Sequence, residues 1–344
     1  MTKFVLSLSG GGIRGAFTLG ILENIELFLQ REFNESIYSK FDYFAGSSTG
    51  ALIACSFSHE QLYCNDIFDR FYNEKTAYIT MNQSIADKIF GLVQCRPKYD
   101  GIGKRDVIKS ITKNRHFNET NKCVLVPIYD VKNNSPIFAK SYSDEKDLSL
   151  LDVLDATTAA PGYFPSVCYD PENTDNIGVD GCLVTLNPAL DIYLDAKKHN
   201  PDTKIVVLSI GTGKRNPCNT SSTWGGIEWA TKGDLIDLIL DGPAENSVLL
   251  TKNVIEANGD TFLHIDTILP EINKMMDNVS QDNIDTLRQH GRSVWEKHQQ
   301  KIKDLFPENL QMFDEYRPET PINDEYDSDD DMYFENNSNE DMYL

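Results

Sequence analysis

The stretch Phe44-Ala45-Gly46-Ser47-Ser48-Thr49-Gly50-Ala51 joins one apolar run (Phe41, Tyr43, Phe44, Ala45) to another (Ala51, Leu52, Ile53, Ala54, Cys55) that continues as a helix. A buried strand passing through G-x-S-x-G straight into a helix is the setting of a nucleophile elbow. At such a tip the serine holds a strained backbone angle. Glycines two residues to either side, Gly46 and Gly50, avoid a Cβ that would collide with a neighbouring strand or helix. Ser48 therefore projects its hydroxyl from the sheet edge, close to the first amides of the following helix. Gly and Ser are common, so the pentapeptide alone also describes a plain turn. Two further stretches decide its reading.

The first lies at the N-terminus, where the strand Val5, Leu6, Leu8 stops at Gly10-Gly11-Gly12-Ile13-Arg14-Gly15 and a helical pattern follows (Phe17, Leu19, Ile21, Leu22, Ile25, Leu29). The spacing Gly10-x-Gly12-x-x-Gly15 satisfies the dinucleotide fingerprint, which needs an acidic ribose ligand about 20 residues on, at the end of a second strand. Glu32 and Glu35 are near that distance but fall in the polar end of a helix and its loop, and the second strand ends in Ser48. The cofactor reading fails there, and no cofactor is expected. In the other reading the glycine amides converge on an anion that forms only during reaction, backed by a helix dipole. Such an oxyanion hole contributes about 3 kcal/mol per donor to a transition state. Arg14 either adds a fixed positive charge or is a surface arginine capping a neighbouring loop.

The second stretch is Asn176-Ile177-Gly178-Val179-Asp180-Gly181-Cys182, a short apolar strand ended by an aspartate in a turn, with Asn187-Pro188 opening a helix beyond it. A strand-end aspartate in an α/β sheet faces the same crevice as the other strand ends, and Gly181 lets the turn bring the carboxylate close to another loop. Asp-Gly is also an ordinary turn dipeptide. A serine that attacks an ester needs a base, usually histidine. The six histidines (59, 116, 199, 264, 290, 298) sit in polar or helical surroundings, none in a glycine-bounded strand-end turn like that of Asp180. As base, Asp180 would have to reach Ser48 directly, with desolvation raising its basicity.

Around these motifs the pattern alternates strands with helices. Hydrophobic spacing predicts helices within 59–93 (Leu62, Ile67, Phe68, Phe71, then Ile85, Ile89, Phe90, Leu92), where core packing is the default and a lipid-facing lid the alternative. A hairpin over 123–142 and a helix 149–158 follow, the helix ending in Ala159-Ala160-Pro161-Gly162-Tyr163-Phe164-Pro165, whose small residues suggest close packing near a site. Beyond these come strand 204–210 with Gly211-Thr212-Gly213, Trp224 and Trp229 as core plugs, helix 234–257, strand 261–265 and helix 282–303. Residues 1–306 thus read as one α/β domain and 307–344 as an acidic, disordered tail. The net charge is −21, and from Glu308 onward thirteen acidic residues face one arginine, leaving −9 for residues 1–307. A basic footprint is missing, so nucleic acid is excluded as partner. Seven scattered cysteines without a C-x-x-C pair fit free thiols in a reducing compartment, hence a cytoplasmic protein, and no metal site. No segment approaches the ~20 apolar residues of a membrane span.

Taken in order, Gly10 to Gly15, Gly46-Ser47-Ser48-Thr49-Gly50 and Asp180-Gly181 resemble the patatin-like phospholipases, as do Pro97-Lys98-Tyr99-Asp100-Gly101, Ala159 to Pro165 and Ser209-Ile210-Gly211-Thr212-Gly213. The resemblance runs from about residue 4 to the helix ending near Lys303. It implies a three-layer α/β/α sandwich with a mainly parallel sheet and a Ser-Asp dyad. The implied reaction is calcium-independent hydrolysis of acyl esters of phospholipids or galactolipids, with transient contact at membrane surfaces. Residue by residue it makes Ser48 the nucleophile, Asp180 the base and Gly11, Gly12 and Arg14 the oxyanion region. Cys182 stands where the family usually has Gly or Ala; a thiol beside the base is expected to make the site sensitive to oxidation. The alternative is a lipid-binding or storage protein of the same fold with negligible turnover.

Overall fold

The computed structural model describes residues 2–81, 96–143, 147–214, 223–225, 228, 235–270 and 276–307. The expected helix through Ile85, Ile89, Phe90 and Leu92, the plug Trp229 and the acidic tail lie outside the described residues.

Among the described residues eight strands form one sheet: β1 (Thr2–Leu8), β2 (Tyr43–Gly46), β3 (Cys123–Asp130), β4 (Ser135–Lys140), β5 (Val167–Cys168), β6 (Ile177–Val179), β7 (Lys204–Ile210) and β8 (Thr261–Ile265). Their order is β5-β6-β3-β2-β1-β7-β8, with β4 also on β3. From β3 to β8 neighbours run parallel, whereas β4, β5 and β6 attach antiparallel.

Alternation along the strands assigns the two faces, because successive side chains point to opposite sides. Phe4, Leu6, Leu8, Phe44, Val124, Val126, Val206 and Leu208 join the larger core with helices α1 (Gly15–Phe33), α3 (Thr49–Ser58) and α10 (Gln281–Lys303). Val5, Tyr43, Ala45, Leu125, Ile205 and Val207 face the other way, onto α8 (Ala189–His199) and the end of α9 (Leu235–Ala257). A parallel sheet buried on both faces needs such near-continuous apolar strands, and burying each large side chain contributes about 1.5–3 kcal/mol. α1 and α10 cross without a gap, since a Cβ on Gly20 would lie 2.1 Å from the Arg288 carbonyl oxygen. Glu23 fixes that crossing through Arg288 and Arg292. Among the described residues no helix is long and apolar enough to cross a membrane.

One topological detail places the site. β4 occupies one edge of β3 from Leu125 to Asp130; on the other edge β2 pairs with Cys123–Leu125 and β6 with Tyr129 and Asp130. β2 and β6 run in opposite directions along that shared edge and meet head to head opposite Pro127. This corrects the premise by which Asp180 was expected in the crevice. The aspartate reaches it from the opposite direction, because β3 overshoots β2 and β6 turns back toward it. Pro127 suits the gap, having no N–H to leave unpaired.

Candidate active site

Ser48 sits between β2 and α3 with φ 51° and ψ −122°, a conformation unfavourable for any residue with a Cβ. Close packing on both sides holds it there. A Cβ on Gly50 would lie 2.3 Å from the Leu8 carbonyl oxygen, and one on Gly46 would lie 2.3 Å from the Gly50 carbonyl, so the elbow rests directly on the end of β1. The Ser48 amide donates to Thr157 Oγ1 at 3.3 Å, and that hydroxyl donates to the Pro127 carbonyl at 2.7 Å.

Across the gap, Ser48 Oγ donates to Asp180 Oδ2 at 2.7 Å. The other carboxylate oxygen, Oδ1, accepts the Cys182 amide at 2.8 Å, and the Asp180 amide donates to the Ala159 carbonyl, which fixes the carboxylate in rotation and position. Gly181 permits the turn by contact: its Cβ would lie 2.2 Å from the Pro127 oxygen. Burial lifts the Asp180 carboxyl above its ordinary range, opposed by the Cys182 amide, the Ser48 hydroxyl and the charge of Lys104. Lys104, itself buried, donates to the Asp155 carbonyl at 2.6 Å and to Thr158 Oγ1 at 3.0 Å, and pairs with the Asp155 carboxylate.

The glycine loop closes the same space. Its Gly10 amide donates to the Leu186 carbonyl and its Ile13 amide to the Met276 carbonyl, while Gly12 adopts φ +59°. Among the described residues the amides of Gly11, Gly12 and Thr49 meet no acceptor. Arg14 is buried, not a surface residue, and donates from Nε to the Gly11 carbonyl and from Nη1 to the Gly213 carbonyl, both at 3.3 Å. Gly10 packs on Cys182 Sγ and Gly15 on the Tyr72 hydroxyl. Gly11, Gly12, Ser48 and Asp180 together line a cavity of about 280 Å³ whose other walls include Leu52, Phe71, Phe164, Leu186, Leu240 and Met276.

Among the described residues no histidine lines this cavity. His59, buried, and His264, half-buried, lie elsewhere, bonded to the Phe117 carbonyl and to Ser209, and desolvation pushes both down to about 4. Cys182 lines the cavity, but burial and the neighbouring Asp180 charge hold its thiol well above the ordinary value. A raised thiol carries less of the reactive thiolate, which weighs against the expected sensitivity to oxidation. No group of three or more His, Cys, Asp or Glu among the described residues is arranged to hold a metal ion. The dinucleotide reading loses its acid: Glu32 lies in the last turn of α1, about 26 Å from Gly15 at 1.5 Å per residue, and Glu35 lies just beyond the helix, paired to Lys40.

The elbow, the strand-end aspartate and the glycine loop are therefore brought together around one cavity, as their sequences predict. Thr157, Lys104 and Thr212 also belong to this surrounding; Thr157 and Lys104 carry no motif of their own, although Thr157 adjoins the small-residue run, and Thr212 lies in the quoted Ser209–Gly213 phrase without a role assigned to it there.

Comparison with known proteins gives the family. The family model of the patatin-like phospholipases matches residues 6–193, more than half of the chain and inclusive of both Ser48 and Asp180. Similar proteins include the cGAMP-activated phospholipase of Escherichia coli (strain TW11681), 26% identical over 333 residues that span 88% of this chain and 92% of that one. Patatin-like protein 4 of Arabidopsis thaliana is 28% identical, covering 84% and 82% of the two chains, and Patatin-01 of Solanum tuberosum is 30% identical, covering 65% and 66%. The chain belongs to the patatin-like phospholipase family, and with it to the lipid ester hydrolases.

Proposed function

We propose that the protein is a phospholipase A-type acyl hydrolase that cleaves fatty-acyl esters of phospholipids or galactolipids through Ser48 and Asp180. The observation that carries this reading is the 2.7 Å hydrogen bond from a strained, elbow-mounted serine hydroxyl to a desolvated carboxylate on the wall of an apolar cavity. In the first step Ser48 Oγ attacks the ester carbonyl while Asp180 Oδ2 takes its proton. The tetrahedral oxyanion is met by the Gly11 and Gly12 amides, in a loop braced by Arg14. The proton then passes to the departing alkoxide, leaving an acyl-enzyme. Water, deprotonated by the same carboxylate, releases the fatty acid.

The cavity walls suit an acyl chain, each buried methylene contributing about 0.8 kcal/mol. Leu183 and Ile239, both on the cavity wall, are exposed, as are Ile79 and Ile102 on neighbouring helices. These side chains favour brief apolar docking to a bilayer, and the acidic balance gives no attraction to anionic lipid. Free thiols at Cys55, Cys64, Cys123, Cys168 and Cys182 fit a cytoplasmic location.

Incubation of the protein with a mixed lipid extract, with products read by mass, tests the proposal. Free fatty acids and lysolipids should accumulate with the wild type and not with Ser48→Ala. Lipid binding without either product would favour the storage alternative.

A further inference from the structure

The Gly11 and Gly12 amides can stabilise an oxyanion only if they point into the cavity, and glycine fixes no orientation by itself. In a trans peptide the C=O of one residue and the N–H of the next point in opposite directions. What binds the Gly10 carbonyl therefore aims the Gly11 amide, and what binds the Gly11 carbonyl aims the Gly12 amide. Arg14 holds the Gly11 carbonyl, through its own amide at 3.2 Å and through Nε. The Gly10 carbonyl is held by Thr212, whose Oγ1 donates to it at 2.7 Å from a fully enclosed position.

We propose that Thr212 is a positioning residue for the hydrolysis: its hydroxyl turns the Gly10 carbonyl away from the cavity and so aims the Gly11 amide at the reacting carbonyl. Thr212 does not line the cavity, so it acts through the glycine loop and not on substrate. Its own support is rigid. It follows β7, which pairs with β1 over the whole of Lys204–Ile210. Thr18 Oγ1 donates to the Gly211 carbonyl, the Gly213 amide donates to Asp266 Oδ1, and Arg14 Nη1 donates to the Gly213 carbonyl. The absence of a Cβ on Gly11 has its reason here as well, since that atom would lie 2.2 Å from Thr212 Oγ1. The Gly211-Thr212-Gly213 turn thus acts as a bracket behind the first glycine loop.

This inference rests on the proposed Ser48 mechanism, and its test separates the two. Kinetics on a soluble short-chain ester would be measured for wild type, Ser48→Ala, Thr212→Val and Thr212→Ser, with inhibition by a trifluoromethyl ketone that forms a tetrahedral adduct. Thr212→Val should lower kcat by about 10- to 100-fold with KM within about twofold, less than the loss of a whole oxyanion donor because the amide is misaimed and not removed. The inhibition constant should rise by a similar factor, and Thr212→Ser should restore both. Should Thr212→Val not fold, Thr212→Ala carries the same comparison with no added bulk. If the hydroxyl only satisfies a buried carbonyl, Thr212→Val will lose stability and keep its kcat, or Thr212→Ser will be no better than Thr212→Val; either result overturns the proposal. An active Ser48→Ala would refute the Ser48 mechanism itself, whereas an inactive Ser48→Ala beside an unimpaired Thr212→Val refutes only the role of Thr212.

Discussion

Replacing Asp180 by Asn separates chemistry from folding at one atom. The shape is preserved, and the amide oxygen can still accept the Cys182 N–H that Oδ1 accepts now at 2.8 Å. The atom facing Ser48 Oγ, now Oδ2 at 2.7 Å, then becomes an NH₂ group that donates to the hydroxyl in place of accepting from it. The serine has no base, and flipping the amide would only set two donors against each other at Cys182. Loss of a positioned general base lowers the rate by about 10²- to 10⁴-fold, equivalent to about 3–5 kcal/mol of transition-state stabilisation. Stability should move the other way. Burial raises the folded-state pKa of Asp180 above its unfolded value, so the stability that goes with the protonated form is present below the ordinary carboxylate pKa and lost as pH rises through the folded one. At neutral and alkaline pH the ionised carboxylate is a burden that Asn does not carry, and Asp180→Asn should unfold at the same temperature as wild type or higher. Steady-state hydrolysis of a soluble ester and thermal unfolding at alkaline pH read the two effects. A variant that keeps more than about a tenth of wild-type kcat/KM would refute the assignment of the base, and so would an activity loss that merely follows a lower unfolding temperature.

Other perturbations probe separate parts of the account. The acid limb of the kcat/KM profile should lie above the ordinary aspartate value of about 3.9, because the base must be ionised and its pKa is raised. Lys104→Met, by removing a cation that favours the carboxylate, should move that limb to still higher pH; an unmoved limb would show that Lys104 does not act on Asp180. Gly50→Ala places a Cβ 2.3 Å from the Leu8 oxygen in a strand fixed on both edges. It should destabilise the fold by about 1–3 kcal/mol in urea titrations, and an unchanged midpoint would contradict the packing described for the elbow. Raising salt should not release the protein from vesicles, because docking is attributed to exposed apolar side chains such as Ile102 and Leu183 on a chain of net charge −21. A steep loss with salt would mean charged contacts dominate.

The parts of the site written in local sequence were legible, and those written in tertiary contact were not. Ser48 stood out because strand, elbow and helix are contiguous, and Gly46 must be small because Gly50 and Ala51 lie one turn on, whereas Gly50 must be small because of Leu8 and Ser9 at the end of β1. β7 and β8 were readable from end to end as apolar runs, while β5, two residues long, gives no pattern to detect. Asp180 was placed correctly with an incomplete reason. Three residues of β6 cannot reveal their direction, and the head-to-head meeting with β2 depends on how far β3 extends past it. The burial of Arg14 could not be read from a loop arginine, since it depends on a carbonyl of Gly213 some two hundred residues away. Cys182 shows the same limit in reverse. Proximity to the base was visible, but the desolvation that raises the thiol was not.

The central claim is that the Ser48 hydroxyl is activated by the Asp180 carboxylate it touches. Labelling with a fluorophosphonate probe, followed by peptide mapping and rate measurement in the wild type, Ser48→Ala and Asp180→Asn, tests it most directly. A single adduct on Ser48, absent from Ser48→Ala and formed far more slowly in Asp180→Asn, is the predicted result. An adduct on another residue, or equal labelling rates with and without the carboxylate, would contradict it.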